Sequence, residues 1–471
     1  MKKNEAVTEG LATVLPIETN EVFYNPAQVF NRDLSILAIS EFASTNTTSP
    51  LRVFEGLAAS GLRSIRYVKE LRGPMPFEVT ANDIEKIAVE RMEKNATHNG
   101  LQVGKDLLVS NEDAILHLHL NKNKYNIIDL DPYGSCSMFL DSAVSSIAPN
   151  GLLCVTSTDG GVLCGNQPDM AFIRYGGFSL KKDYCHEMGL RVMLHAIASA
   201  AARHKRGIKI LAALSIDFYF RAFVQIIDRA DCALESMMDT GIVLQCVHCD
   251  FHAVQCIGRR DGSNRKPNRL TPGTGQCPEC NSVLSVGGPM YTGPLHDGAF
   301  TTALLNPNRD EFPGVTSWDK ITALMHGLQS ELPEVPLFYS IRTLAGSVKV
   351  SPPKLRVFKF FIEQLGYRVG GSHRTPNTFK TDAPHSVVFD LLRLYVRTVE
   401  SKKSQQDIAL LQKEISTVIP DSLEMDWNMK VDDRSGPAIY LPNPKRFWGP
   451  KQRAVASEGN SAKKLKLLIT E

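Results

Sequence analysis

The stretch LRVFEGLAASGLRSIRYVKE (Leu51–Glu70) decides the fold. Its first five residues form a short apolar run bounded by Glu55-Gly56 and read as a buried strand. Gly56 to Gly61 is built of small residues, which let the backbone turn sharply and approach a ligand closely where a helix begins. Further out, FEVTA (77–81), LLVS (107–110), YNIIDL (125–130), GLLCVTS (151–157) and IKILAALSI (208–216) are equally strand-like. Between them, Ile84, Ile87, Ala88 and Met92 recur at helical spacing as one apolar face, and Leu190, Met193, Leu194, Ile197 and Ala201 as another. Strands alternating with helices need crossover connections. The expected fold is therefore α/β, with a mostly parallel sheet covered on both faces. Ligands of such sheets lie beyond the carboxyl ends of the strands, so functional residues should follow the strand runs.

The rest of the chain is consistent with that frame. Of 471 residues, 43% are hydrophobic and 22% charged, which excludes a disulfide miniprotein, a fibrous repeat and a wholly disordered chain. The net charge is only +3, so any nucleic-acid surface must come from local basic clusters. No run of about 18 apolar residues occurs, and no membrane span is expected. The opening MKKNEAVTEGLATVLPIETN lacks a signal core and an Arg-rich transit pattern. A reducing compartment is expected, where ten cysteines serve metal binding or packing rather than disulfides.

Three successive strand ends carry groups suited to a nucleotide-like cofactor. After the Gly56–Gly61 loop comes Asn82-Asp83, about twenty residues on, where an acid accepts hydrogen bonds from ribose hydroxyls. The third strand ends in Glu112-Asp113-Ala114, suited to holding an adenine amino group. The glycines do not fit GxGxxG, and a plain structural turn is the alternative. No P-loop GK[ST] is present, which argues against a nucleoside triphosphate.

The fourth strand runs into Asp129-Leu130-Asp131-Pro132-Tyr133-Gly134-Ser135. This corner suits methyl transfer to an exocyclic amine of a base, whose lone pair is delocalised into the ring. A carboxylate at Asp131 accepts the N–H hydrogens and directs the lone pair, Pro132 stiffens the turn, and Tyr133 offers a face for an extruded base. The alternative is a simple Asp-Pro turn in which Asp129 anchors the loop. Upstream, Phe23-Tyr24-Asn25-Pro26 precedes Arg32. Phe23 can form the opposite wall of a base pocket and Arg32 can grip a cofactor carboxylate in two-pronged fashion. Otherwise Phe23 and Phe30 pack and Arg32 pairs locally.

Downstream, Cys246-Val-His-Cys249 and Cys277-Pro-Glu-Cys280 form two CxxC knuckles separated by 27 residues. Four such thiolates suit a closed, structural Zn²⁺ site, with His248, His252 and Cys256 as alternative ligands. The long spacer should extrude a loop bearing Arg259, Arg260, Arg265, Lys266 and Arg269, either a phosphate-contacting finger or a solvated basic loop.

Several stretches carry a resemblance. They are FYNPAQVFNRDLS (23–35), EGLAASGLRSIR (55–66), ANDIE (81–85), EDA (112–114), DLDPYGS (129–135), TSTDGGVLCG (156–165), GPMYTGPLHD (288–297) and SHRTPNTFKTDAP (372–384). From about residue 20 to 450 the chain resembles the tRNA (guanine(26)-N2)-dimethyltransferase family. The resemblance implies a class I (Rossmann-like) methyltransferase domain followed by a family-specific α+β carboxyl-terminal domain. The implied reaction moves one or two methyl groups from S-adenosyl-L-methionine to N2 of a guanosine in tRNA. It further implies that Arg32, Arg63, Asp83, Asp113 and Ala114 surround the cofactor. Asp131 is the implied catalytic acceptor, with Phe23 and Tyr133 flanking the guanine. The family usually has Phe where Tyr133 stands, and the quartet resembles its eukaryotic branch. The expected division is a methyltransferase domain at 1–240 and a tRNA-binding domain at 241–450 carrying the zinc knuckles 246–280. A basic, disordered tail at 451–471 completes it. Lys463-Lys464-Leu465-Lys466 reads as a nuclear import run, so the nucleus is the expected compartment, with cytoplasm and mitochondrion as alternatives. tRNA is the expected partner, with no membrane and no stable protein partner. The competing readings are an amino-methyltransferase for another RNA or DNA base, and a non-catalytic zinc-bearing tRNA-binding protein.

Overall fold

The computed structural model describes residues 6–16, 24–269, 275–399, 408–431, 439–441 and 443. Seven strands make the central sheet: β1 (Leu51–Glu55), β2 (Phe77–Asn82), β3 (Leu107–Ser110), β4 (Ile127–Leu130), β5 (Leu152–Ser157), β6 (Gly207–Ile216) and β7 (Tyr219–Ile227). Their order is β3-β2-β1-β4-β5-β7-β6. The first five run parallel, with Glu55 level with Asp129 across β1 and β4. β7 inserts antiparallel between β5 and β6, with Ser157 level with Phe220. It follows β6 through a tight reversal at Asp217, where φ is +45°. Sequence reading ended the strand pattern at Ile216 and missed β7. A hairpin needs no helical crossover, so the strand–helix alternation gives no cue to it.

Helices cover both faces. On one side lie α1 (Val29–Ser44), α2 (Leu62–Glu70) and α3 (Lys86–His98), with the later helices Gly298–Leu305 and Trp318–Gln329 in the same core. On the other lie α4 (Ala114–Leu120), α5 (Ser137–Ser146), α6 (Pro168–Tyr175) and α7 (Cys185–Arg203), whose predicted apolar face from Leu190 to Ala201 is fully buried. The predicted face of α3 is only half right. Ala88 and Met92 are buried, but Ile84 and Ile87 are 63% and 52% exposed. Ile84 belongs to the turn after β2, outside α3, and Ile87 lies on the exposed side of its first turn.

After residue 240, the strands Thr240–Cys246, His252–Cys256 and Leu284–Tyr291 form a small antiparallel sheet. A third core joins the cysteine quartet to the helices Ile341–Ser347, Leu355–Gln364 and His385–Val399. A buried polar strut ties this half to the sheet. Lys380, wholly buried, lies 3.0 Å from Glu187 of α7 and 3.8 Å from Glu331, while His373 accepts from the Ser215 amide at 3.1 Å. Burial pushes the Glu331 carboxyl up, but Lys380 and His373 overcome it and hold it at about 2. Among the described residues no helix is long and apolar enough to cross a membrane. The tail 451–471 and its lysine run lie outside the described residues.

Candidate active site

The loop after β1 is shaped by Gly61, which sits at φ +74° at the head of α2. A Cβ there would lie 2.9 Å from Met92 Cγ, so the loop packs on α3 only because glycine has none. The residue that joins the three loops is Asn82, fully buried at the end of β2. Its Nδ2 donates to the carbonyls of Gly56 and Glu112, both at 3.0 Å, and its Oδ1 accepts from the Glu112 amide at 3.2 Å. Asp83, half-buried, accepts from the Ala59 amide at 2.9 Å through Oδ2 and from the Glu85 amide at 3.0 Å through Oδ1. A carboxylate has about four acceptor sites, so two such bonds leave capacity for a diol. Asp113 is the N-cap of α4, where Oδ1 accepts from the Ile115 and Leu116 amides. Ala114 is buried behind it. Small residues and acids at the ends of β1, β2 and β3 supply hydrogen-bond acceptors and a shape that fit an adenosyl group.

At the end of β4 lies a buried charge cluster. Arg63 on α2 reaches across the sheet: its Nη2 bonds Asp131, its Nη1 lies 3.4 Å from Asp129, and its Nε lies 3.5 Å from Glu55. From β7, Arg221 donates to Asp129 Oδ1 at 2.8 Å, and Tyr67 donates to Asp129 Oδ2 at 2.5 Å. Burial pushes the Asp129 carboxyl up, but Arg221 and Arg63 prevail and hold it below its usual range. Three carboxyl groups thus face two guanidinium groups. Burial raises Glu55 to about 8 against the pull of Arg63 and Ser64, so it keeps its proton at neutral pH.

Asp131 is the one member of the cluster that opens outward, its side chain 19% exposed against 0% for Asp129. The neighbouring Tyr133 ring is 66% exposed. The turn behind it is braced: the Gly134 amide donates to Thr158 Oγ1 at 2.8 Å, and the Thr158 amide donates to the Gly134 carbonyl at 2.9 Å. The structure therefore brings Asp131, Tyr133 and Arg63 together at one strand end. Phe23 lies outside the described residues.

Arg32 makes a two-pronged contact, but with a residue of the chain itself. Its Nε and Nη2 each donate to Glu9 at 2.6 Å, and its guanidinium sits 5.5 Å from the Tyr24 ring centroid. Glu9 also accepts from Arg66 at 2.7 Å. Glu9, Asn82 and Arg221 received no role from the sequence. Only Arg221 left a signal, as an arginine inside the apolar run YFRAFV (219–224), where a buried charge demands a partner.

The four cysteines converge as their spacing predicts. Cys246 and Cys280 sulfurs lie 3.4 Å apart, Cys249 and Cys280 3.5 Å, and Cys249 and Cys277 3.6 Å, all buried. A tetrahedral metal with bonds of about 2.3 Å to sulfur separates its ligands by about 3.8 Å, so the cluster fits such an ion with little movement. The His248 and Cys249 amides donate to Cys246 Sγ at 3.3 Å. Of the alternative ligands, His252 faces the Asp250 carbonyl and Cys256 faces Thr292. The spacer forms a hairpin, Gly258–Asp261 with Asn264–Pro267. Its basic character is largely answered within the chain: Arg260 and Arg265 both pair with Glu235, and Lys266 pairs with Asp261.

This sheet order, with cofactor-type residues at three strand ends and a carboxylate beside an aromatic ring at the fourth, defines a class I, Rossmann-like methyltransferase. Residues 3–393 match the model of the N2,N2-dimethylguanosine tRNA methyltransferase family, and the chain belongs to that family. It is 35% identical to the tRNA (guanine(26)-N(2))-dimethyltransferase of Schizosaccharomyces pombe, over 95% of this chain and 92% of that one. With tRNA (guanine(26)-N(2))-dimethyltransferase 1 of Arabidopsis thaliana it shares 33%, over 95% and 88%. A mitochondrial relative from Saccharomyces cerevisiae is 29% identical, over 96% and 92%. Among solved structures, Trm1 from Pyrococcus horikoshii in complex with S-adenosyl-L-methionine superposes with a TM-score of 0.70 at 27% identity, covering 82% of this chain and 99% of that one.

Proposed function

We propose that this chain transfers one or two methyl groups from S-adenosyl-L-methionine to the exocyclic N2 of guanosine 26 in tRNA. The observation that carries the reading is Asp131, an outward-opening carboxylate gripped from behind by Arg63 and adjacent to the Tyr133 ring. The names of the curated relatives and the ligand of the Pyrococcus structure support the same reaction. S-adenosyl-L-methionine supplies a methyl carbon made electrophilic by its sulfonium. Asp131 accepts the N–H hydrogens of the base amine and turns the nitrogen lone pair toward that carbon. Tyr133 stacks on the extruded guanine, and Phe23 is assigned its opposite side. Asp83 holds the ribose hydroxyls, and Asp113 and Ala114 border the adenine. Arg32 and Arg63 supply positive charge at the amino-acid end, Arg63 also fixing Asp131. What the cluster contributes is orientation for an in-line displacement.

Residues 1–240 form the methyltransferase domain in this proposal, and residues 241–450 bind tRNA. Cys246, Cys249, Cys277 and Cys280 hold one structural Zn²⁺, which leaves no open position for catalysis. The lysine run at 463–466 directs the chain to the nucleus, although one relative is named as mitochondrial. Methylation of unmodified tRNA transcripts, followed by nucleoside analysis, tests the reaction. N2-methylated guanosine at position 26 is the expected product. Methylation elsewhere would make the chain an amino-methyltransferase of another base, and no transfer with retained tRNA binding would make it a non-catalytic binder.

A further inference from the structure

A second cluster of soft donors lies away from the quartet. Cys164 Sγ is 3.4 Å from His186 Nδ1, and the donor atoms of Cys164, Cys185 and His186 all lie within 4.8 Å of one another. They come from two elements. Cys164 sits in the irregular turn Val162–Asn166 that follows β5, and Cys185 and His186 open α7.

The backbone presses these two elements together. Gly165, at φ +86°, packs so closely that a Cβ would lie 2.7 Å from the Ser179 carbonyl oxygen. A Cβ on Gly189, one turn into α7, would lie 2.7 Å from the Leu163 carbonyl oxygen. Close glycine contacts hold the turn against α7 and against the segment that leads into it, so the donors are preorganised rather than merely near in sequence.

We propose that Cys164, Cys185 and His186 form a second metal site, taking a soft or borderline divalent ion such as Zn²⁺ with three protein ligands and one open position. Two sulfurs and one imidazole exclude Mg²⁺ and Ca²⁺, which require oxygen. Zn²⁺ bonds of about 2.3 Å to sulfur and about 2.0 Å to nitrogen place such ligands about 3.5 Å apart, the separation found between Cys164 and His186. Cys164 is buried, and Cys185 and His186 are half-buried, which leaves an entry path for the ion. The site is a strut for the reaction rather than a reactant. Its turn starts from Asp159, whose neighbour Thr158 braces Gly134 beside Tyr133, so an ion here would stiffen the guanine platform.

The test is zinc counting on the full chain, purified with its thiols reduced. Wild type is expected to hold one equivalent more than Cys185→Ser, which should still melt cooperatively. His186→Ala should lose the same equivalent and His186→Cys, a replacement that also ligates zinc, should keep the wild-type count, a pair of results that a non-ligating histidine would not give. Loss of one equivalent in Cys185→Ser with rescue by His186→Cys supports the site. An unchanged count in Cys185→Ser overturns it. The quartet is scored separately by Cys280→Ser, so absence of zinc there leaves the difference at Cys185 readable.

Discussion

Arg221 Nη1 donates to Asp129 Oδ1 at 2.8 Å, and neither side chain has any exposure to solvent. The two residues lie 92 positions apart, on β7 and β4, yet this contact neutralises the floor of the site from which Asp131 projects. Burying two charges is costly. Once they are buried, removing one partner costs more than the pair contributes, because it strands the other. Arg221→Met should therefore lower stability by about 3–5 kcal/mol in urea unfolding. A loss below about 1 kcal/mol would show that Tyr67 and Arg63 alone satisfy Asp129.

Asp131→Ala should abolish transfer to tRNA while leaving S-adenosyl-L-methionine binding within a few fold of wild type, measured by calorimetry beside a single-turnover assay. The separation follows from the proposed roles, which assign Asp131 to the amine and Asp83 and Asp113 to the nucleoside. Near-normal turnover would remove Asp131 from the reaction.

Stacking needs a ring and not a hydroxyl. Tyr133→Ala should slow single-turnover transfer by about 5- to 150-fold, equivalent to about 1–3 kcal/mol, while Tyr133→Phe stays close to wild type. Equal rates for all three proteins would place the guanine elsewhere.

Glu55 gives the fold a pH dependence of defined sign. Its carboxyl is raised to about 8 in the folded chain from an ordinary value of 4.5, so the folded form holds a proton that the unfolded form has released between those values. The stability this provides is complete below pH 4.5 and is lost as pH rises through 8. The loss runs at up to about 1.4 kcal/mol per pH unit. Glu55→Gln, which cannot ionise, should gain stability relative to wild type as denaturation is followed from pH 5 to 8. Parallel curves for the two proteins would mean that Glu55 is ionised in the fold.

Much of this architecture was legible from local signals. Strands β1 to β6, the turn at Gly61 and the corner at Asp131-Pro132-Tyr133 follow from apolar runs, small residues and turn chemistry, all of which act within a few residues. The quartet was legible because CxxC spacing by itself sets thiolate geometry. β7 was not, since a hairpin return leaves no crossover to read. The exposure of Ile84 and Ile87 was also hidden, since apolar spacing alone does not show where a helix begins or which side of its first turn meets the core.

The chain's own order of residues thus specified where chemistry would sit, at the ends of β1 to β4, and which side chains would be available there. Only the tertiary structure decided how they divide the labour. It pairs Arg32 with Glu9, sets Arg63 behind Asp131, and brings in Arg221 from a strand nearly a hundred residues away. The physical reason is the range of the forces. Turns and periodicity depend on neighbours in sequence, whereas neutralising a buried charge depends on which groups meet in space once water has been excluded.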